Sequence, residues 1–140
     1  MTVTPQEFIA AIELVVYRRI VNGIVAQLRQ PGGRQPSTRA LDLQRWYAAL
    51  DEEGKAKAEA IIRDAAHAAT FQFLCLLDGA VAFDNPPHAE LRLVCIDPDG
   101  TETVLNEPAG DLHDDFNALA HPPSEAWPPA PNGRDIANPS

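Results

Sequence analysis

The chain has 140 residues, 45% of them hydrophobic, and a formal net charge of −9. That is the length of one domain, with enough apolar content for a core that needs no disulfide or metal staple, and no apolar run approaches the ~18 residues of a bilayer span. Residues 1–70 carry nine Lys/Arg and eight Asp/Glu, whereas residues 71–140 carry only Arg92 and Arg134 against twelve acids, a balance that opposes binding to nucleic acid or an anionic membrane and favours a basic protein partner.

The opening MTVTPQEF lacks the basic stretch and apolar run of a secretion signal, so a cytoplasmic protein is expected. Thr4-Pro5-Gln6-Glu7 is a helix start. The threonine hydroxyl can accept from the Glu7 amide while the Glu7 carboxylate reaches back, and proline suits the first helical position. The first helix is predicted to run to about Arg29 and stop before Pro31-Gly32-Gly33. Phe8, Ile12, Val15, Val16, Ile20 and Gly23 follow core spacing along it. A second line, Leu14, Tyr17, Val21, Ile24 and Leu28, advances by alternate threes and fours. This helix is therefore either central to the fold or lends that second line to a second copy of the chain, and a homodimer seam is the expected use.

The next linker holds Arg29 and Arg34 but lacks the GxxxxGK[ST] order of a phosphate-binding loop. Ser37 or Thr38 should cap a second helix burying some of Leu41, Leu43, Trp46, Tyr47 and Leu50, with Trp46 as its anchor. Asp51 should cap a third, with Glu52 and Glu53 at the positive end of its dipole. This helix is predicted over Glu52 to about Leu77, with Ile61, Ile62, Ala65, Ala66, Ala69, Phe73, Leu76 and Leu77 as its inner face. Phe71, Leu74 and Cys75 make its end apolar all round, the mark of a segment covered on every side. A strand over Phe71–Leu77 is the rival reading. Asp78-Gly79 ends the helix, with Gly79 available for a left-handed cap.

Beyond Asn85-Pro86-Pro87, segments 90–96 and 101–105 flank Asp97-Pro98-Asp99-Gly100, and proline and glycine stand where a tight turn needs them. Leu91, Leu93 and Cys95 alternate with Arg92, Val94 and Ile96, so one hairpin face should pack on the helices and the other is half polar. A short helix from Asp111 to about Leu119 comes next. Six prolines among the last twenty residues then predict a disordered tail over 121–140 beyond a globular domain of 1–120. The fold class is accordingly α+β, mainly α: three long helices, a β-hairpin, a short C-terminal helix and a proline-rich tail.

Few residues suggest chemistry. Asp64 and His67 share one side of the third helix, and His113-Asp114-Asp115 could add ligands, but catalytic zinc takes three protein ligands and this spacing is common. Neither Cys75 nor Cys95 has a neighbouring histidine or CxxC spacing, and no GxSxG elbow occurs. No catalytic residue, metal or cofactor is expected. Trp46-Tyr47 with Leu50-Asp51, the run Phe73-Leu74-Cys75-Leu76-Leu77-Asp78-Gly79, and Leu105-Asn106 followed by Leu112-His113-Asp114 resemble a small family of uncharacterised bacterial proteins over roughly residues 5–119. The resemblance implies a bacterial, cytosolic, single-domain protein and brings no site residues with it. The function expected from the residues is a non-catalytic, immunity-type binding protein. Its acidic half, through Asp97, Asp99 and Glu102, would meet a basic partner. A homodimeric accessory protein and a small metal-dependent enzyme are the alternatives.

Overall fold

The computed structural model describes residues 2–81, 89–107 and 110–120. It is mainly helical, with one two-stranded antiparallel hairpin and a short last helix. The segment 121–140, expected to be a disordered tail, lies outside the described residues.

The N-terminal rod starts at the capping box. The Glu7 amide donates to Thr4 Oγ1 at 3.1 Å, and the Thr4 amide donates to the Glu7 carboxylate at 2.8 Å. The rod has three parts: α1 over Pro5–Ala11, a π-helical segment over Ile12–Arg18, and α2 over Arg19–Arg29. Each i→i+5 turn of the π segment takes in one residue more than an α-helical turn, which rotates everything after it. Up to the start of the segment the inward residues are Ile9 with half-buried Phe8 and Ile12; from its last turn onward they are Tyr17, Val21 and Leu28. The inward stripe thus begins on the first line predicted from sequence and finishes on the second. Val15, Val16 and Ile20, expected inside, are exposed.

After the linker come α3 over Thr38–Ala48 and α4 over Glu52–Leu77, capped by Ser37 on the Ala40 amide and by Asp51 on the Gly54 amide. The region Phe71–Leu77 is helix, not strand. Asp78 and Gly79 close α4 through paired bonds. The Ala80 amide reaches Cys75 O at 2.9 Å and the Gly79 amide reaches Leu76 O at 3.3 Å, with Gly79 at φ +74, a Schellman closure that wants glycine.

α4 packs against α2, the π segment and α5, the last helix, over Leu112–Ala120. Its inner face carries Leu74, with Ile62, Ala66, Phe71 and Leu77 half-buried. Ile61, Ala65, Ala69 and Phe73, expected on that face, point to solvent, because α5 sits on the side marked by His67 and Phe71 instead. Length and composition alone would let α4 cross a membrane; within the chain it is a bundle helix with helices on one side.

The main core gathers Ile9, Tyr17, Val21, Leu74, Leu112 and Phe116, and a smaller one joins Leu28, Tyr47 and Ala58, with Ile62 touching both. Trp46 does not anchor α3: it is 52% exposed while Tyr47 is buried. The tyrosine is preferred inside because its hydroxyl finds an acceptor there, donating to Glu59 at 2.7 Å. The hairpin pairs β1, Val94–Ile96, with β2, Glu102–Val104, in the register Val94↔Val104 and Ile96↔Glu102.

Candidate functional site

The hairpin carries the acidic residues singled out from sequence, and its turn fixes them. The Gly100 amide donates to Asp97 O at 2.8 Å and the Asp97 amide to Thr101 O at 2.9 Å, with Gly100 at φ +86. No described non-glycine residue has positive φ, so Pro98-Asp99 forms a type I turn with glycine as the next, left-handed residue. Asp99 also accepts the Thr101 amide at 2.9 Å. That bond, reinforced by the Thr101 hydroxyl, holds its carboxyl below the ordinary aspartate value. Asp99 and Glu102 are exposed and Asp97 half-buried. Among the described residues none of the three faces a cation within ion-pair distance, and the hairpin's own Arg92 turns to Glu90 at 3.4 Å.

Strand alternation puts Val94, Ile96, Val104 and Glu102 on one face of the hairpin. Val94 is exposed and Ile96 is 64% exposed, while Leu91, Leu93 and Cys95 are half-buried on the other face. The outward face is therefore an apolar strip with a carboxylate beside it and two more at its end.

The hairpin's position is set by Asn106, which is buried. Its amide nitrogen donates to Leu77 O at 2.7 Å and Leu91 O at 2.8 Å, and its oxygen accepts the Leu93 amide at 2.6 Å. One side chain thus satisfies a carbonyl left over at the end of α4 and stands in for the ladder where β1 would otherwise continue. Sequence reasoning assigned Asn106 no role. An asparagine closing a strand is the available signal, but its partners lie 13 to 29 residues away.

The histidine constellation has a different form from the expected pairing. His67 approaches Asn117 on α5 at 3.1 Å and stacks on Phe71 and Phe116 with centroids 5.9 and 5.3 Å away; Asp64 is exposed. His113 pairs with Asp78 instead: Nδ1 lies 2.7 Å from Oδ2, and the His113 amide donates to the same oxygen at 3.0 Å. Asp78, at the end of α4, thus caps the second amide of α5. Its other oxygen, Oδ1, is buried without a hydrogen-bond partner among the described residues. The Phe71 ring touches both histidines and lies between their bonding sets. No group of three or more metal-ligating side chains occurs among the described residues. Burial, with Asp78 and Asp114 adding to it, pushes the Cys75 thiol up, the opposite of what a thiolate nucleophile needs. This layer is a helix–helix junction.

A third polar set joins α2, α3 and α4. Arg29 donates to Glu59 at 2.8 Å beside the Tyr47 hydroxyl bond, at the edge of an open cleft of about 340 Å³.

The expected dimer seam is divided. Tyr17, Val21 and Leu28 are core residues of this chain, while Leu14 and Ile24 are exposed; in α2, Ile24 lies about 60° around the helix from Val21 and so falls off the inward stripe. Comparison with protein-family models, with curated proteins and with solved structures found no match.

Proposed function

We propose that this is a non-catalytic binding protein whose hairpin engages a basic protein partner. The observation that carries the reading is the outward hairpin face, with exposed Val94 and Ile96 beside Glu102 and with Asp97 and Asp99 at the turn, unmatched by any described cation. Recognition patches combine an apolar centre with a polar rim. In such a patch the apolar side chains supply affinity once water leaves, and the unmatched carboxylates speed encounter and select for positive charge. The −10 balance of residues 71–140 adds long-range attraction of the same sign.

The test uses the chain and its Asp97→Lys/Asp99→Lys/Glu102→Lys variant, each immobilised and exposed to lysate. A basic protein held by the first, shed as salt is raised, and not held by the second is the expected result. A partner retained equally by both, at low and high salt alike, overturns the reading.

A further inference from the structure

We propose that a second surface of the molecule, separate from the hairpin and formed by Val16, Ile20, Ile24, Leu43 and Trp46, pairs with the same surface of a second copy of this chain.

Val16, Ile20 and Ile24 recur every fourth residue along the rod, on the flank that the π segment turns away from the core, and all three are exposed, Ile20 by 51%. Ile24 and Leu43 line one cleft of about 240 Å³ between α2 and α3, which makes the two helices one continuous face. Trp46, half exposed, stands one turn further along α3 from Leu43. About half of each of these side chains is left open.

Two observations identify the occupant as the chain itself. The first is area. Side chains of this size present roughly 100–250 Å² each when free, so five of them half exposed offer on the order of 400 Å² of apolar surface. A stable interface takes about 800 Å² per partner, some 60% of it apolar, and the match is close. The second is charge. In a two-fold pairing each residue meets its own neighbourhood again, so a strongly charged face repels itself. This face lies in the half whose balance is +1, away from the half that carries −10. At its edge Asp42 and Arg45 already neutralise one another, 3.3 Å apart. Arg39 also lines the cleft beside Leu43, so each copy brings a cation to the edge of the contact rather than the acidic excess of the other half, and the acidic hairpins stay free.

Sedimentation of the full chain across the micromolar range tests this, with far-UV circular dichroism on every variant. The unmodified chain should run at twice its 15.2 kDa mass. Ile20→Glu on α2 and Leu43→Glu on α3 should each run as monomers with unchanged helical signal, the dissociation constant rising at least about a hundredfold because a charge enters an apolar contact. Should a glutamate variant lose helix, Ile20→Ser serves in its place, with a rise of about tenfold. The Asp97→Lys/Asp99→Lys/Glu102→Lys variant should keep the dimer mass, which separates this proposal from the hairpin reading. An unmodified chain that stays monomeric throughout overturns the proposal. So does a dimer that survives all the α2 and α3 changes, or one that dissolves only when the hairpin charges are reversed.

Discussion

The Tyr47 hydroxyl and the Arg29 guanidinium both donate to one oxygen of Glu59. The tyrosine bond first, then Arg29 and the charge of Arg63, hold that carboxyl below its ordinary value against the opposing effect of burial. A carboxyl whose value falls on folding adds stability that is complete above its unfolded value, about 4.3. That stability is lost as pH drops through the folded value. Urea midpoints should accordingly hold steady from neutral pH down to about 5 and decline below about 4. Tyr47→Phe removes a bond to a charged acceptor, so it should cost about 1–2 kcal/mol at neutral pH and flatten that acid decline. Asn106 is the second polar side chain whose loss should be felt. Asn106→Ala strands the Leu77 and Leu91 carbonyls and the Leu93 amide together, and about 2–4 kcal/mol is the expected loss in denaturant unfolding. A change under about 0.5 kcal/mol would show that water replaces the amide at all three.

The ends of the helices were legible in the sequence because the bonds that make them are local. Thr4 with Glu7, Ser37, Asp51 and Gly79 each act within a few residues of their own position. The π segment was not legible, since a change from i→i+4 to i→i+5 pairing leaves no mark on residue type. The two apolar lines of the rod therefore read as two faces of one helix, when each is inward over only part of its length. Single-residue deletions test this winding. Deleting Val15, an exposed residue inside the segment, returns the rod to plain α-helical winding while keeping Ile9 and Val21 inward. It should leave a folded protein with a thermal midpoint within a few degrees of the parent. Deleting Gly23 rotates Leu28 off the core by about 100° and should unfold or aggregate the chain. Gly54, in the first turn of α4, gives a second element-level test. Glycine in an open helix is worth about 1 kcal/mol less than alanine. Here a Cβ would sit 2.9 Å from the Asp51 carboxylate that caps the helix and 3.2 Å from Leu50. Gly54→Ala should thus lower the thermal midpoint where propensity alone would raise it.

Across the whole molecule the adjacent residues Ile20 and Val21 divide inside from outside. Val21→Glu places an unpaired charge in the main core and should abolish the cooperative thermal transition, whereas Ile20→Glu leaves the chain folded. The acidic turn was readable in advance because Asp-Pro-Asp-Gly has one economical conformation. Strand alternation likewise set Val94 and Ile96 on the half-polar face with Arg92; what emerged only with the register was the placing of Val104 and Glu102 opposite them. The histidine layer could not be read, because its partners, Asp78 for His113 and Asn117 for His67, lie 35 and 50 residues away. Two consecutive residues, Leu77 and Asp78, take long-range bonds from both later elements. Leu77 offers its carbonyl to Asn106 and so holds the hairpin, and Asp78 holds the first turn of α5. The end of α4 is thus a hinge pin shared by both later elements. If its last turn frays, the hairpin loses its Asn106 tether to α4 and α5 loses its cap, while Leu112, Phe116 and the Asn117 contact still hold α5 to the core. In native-state hydrogen exchange, amides of the hairpin, of the first turn of α5 and of the final turn of α4 should then open with one common free energy and respond together to denaturant, while α3, tied in through Glu59, exchanges on a schedule of its own.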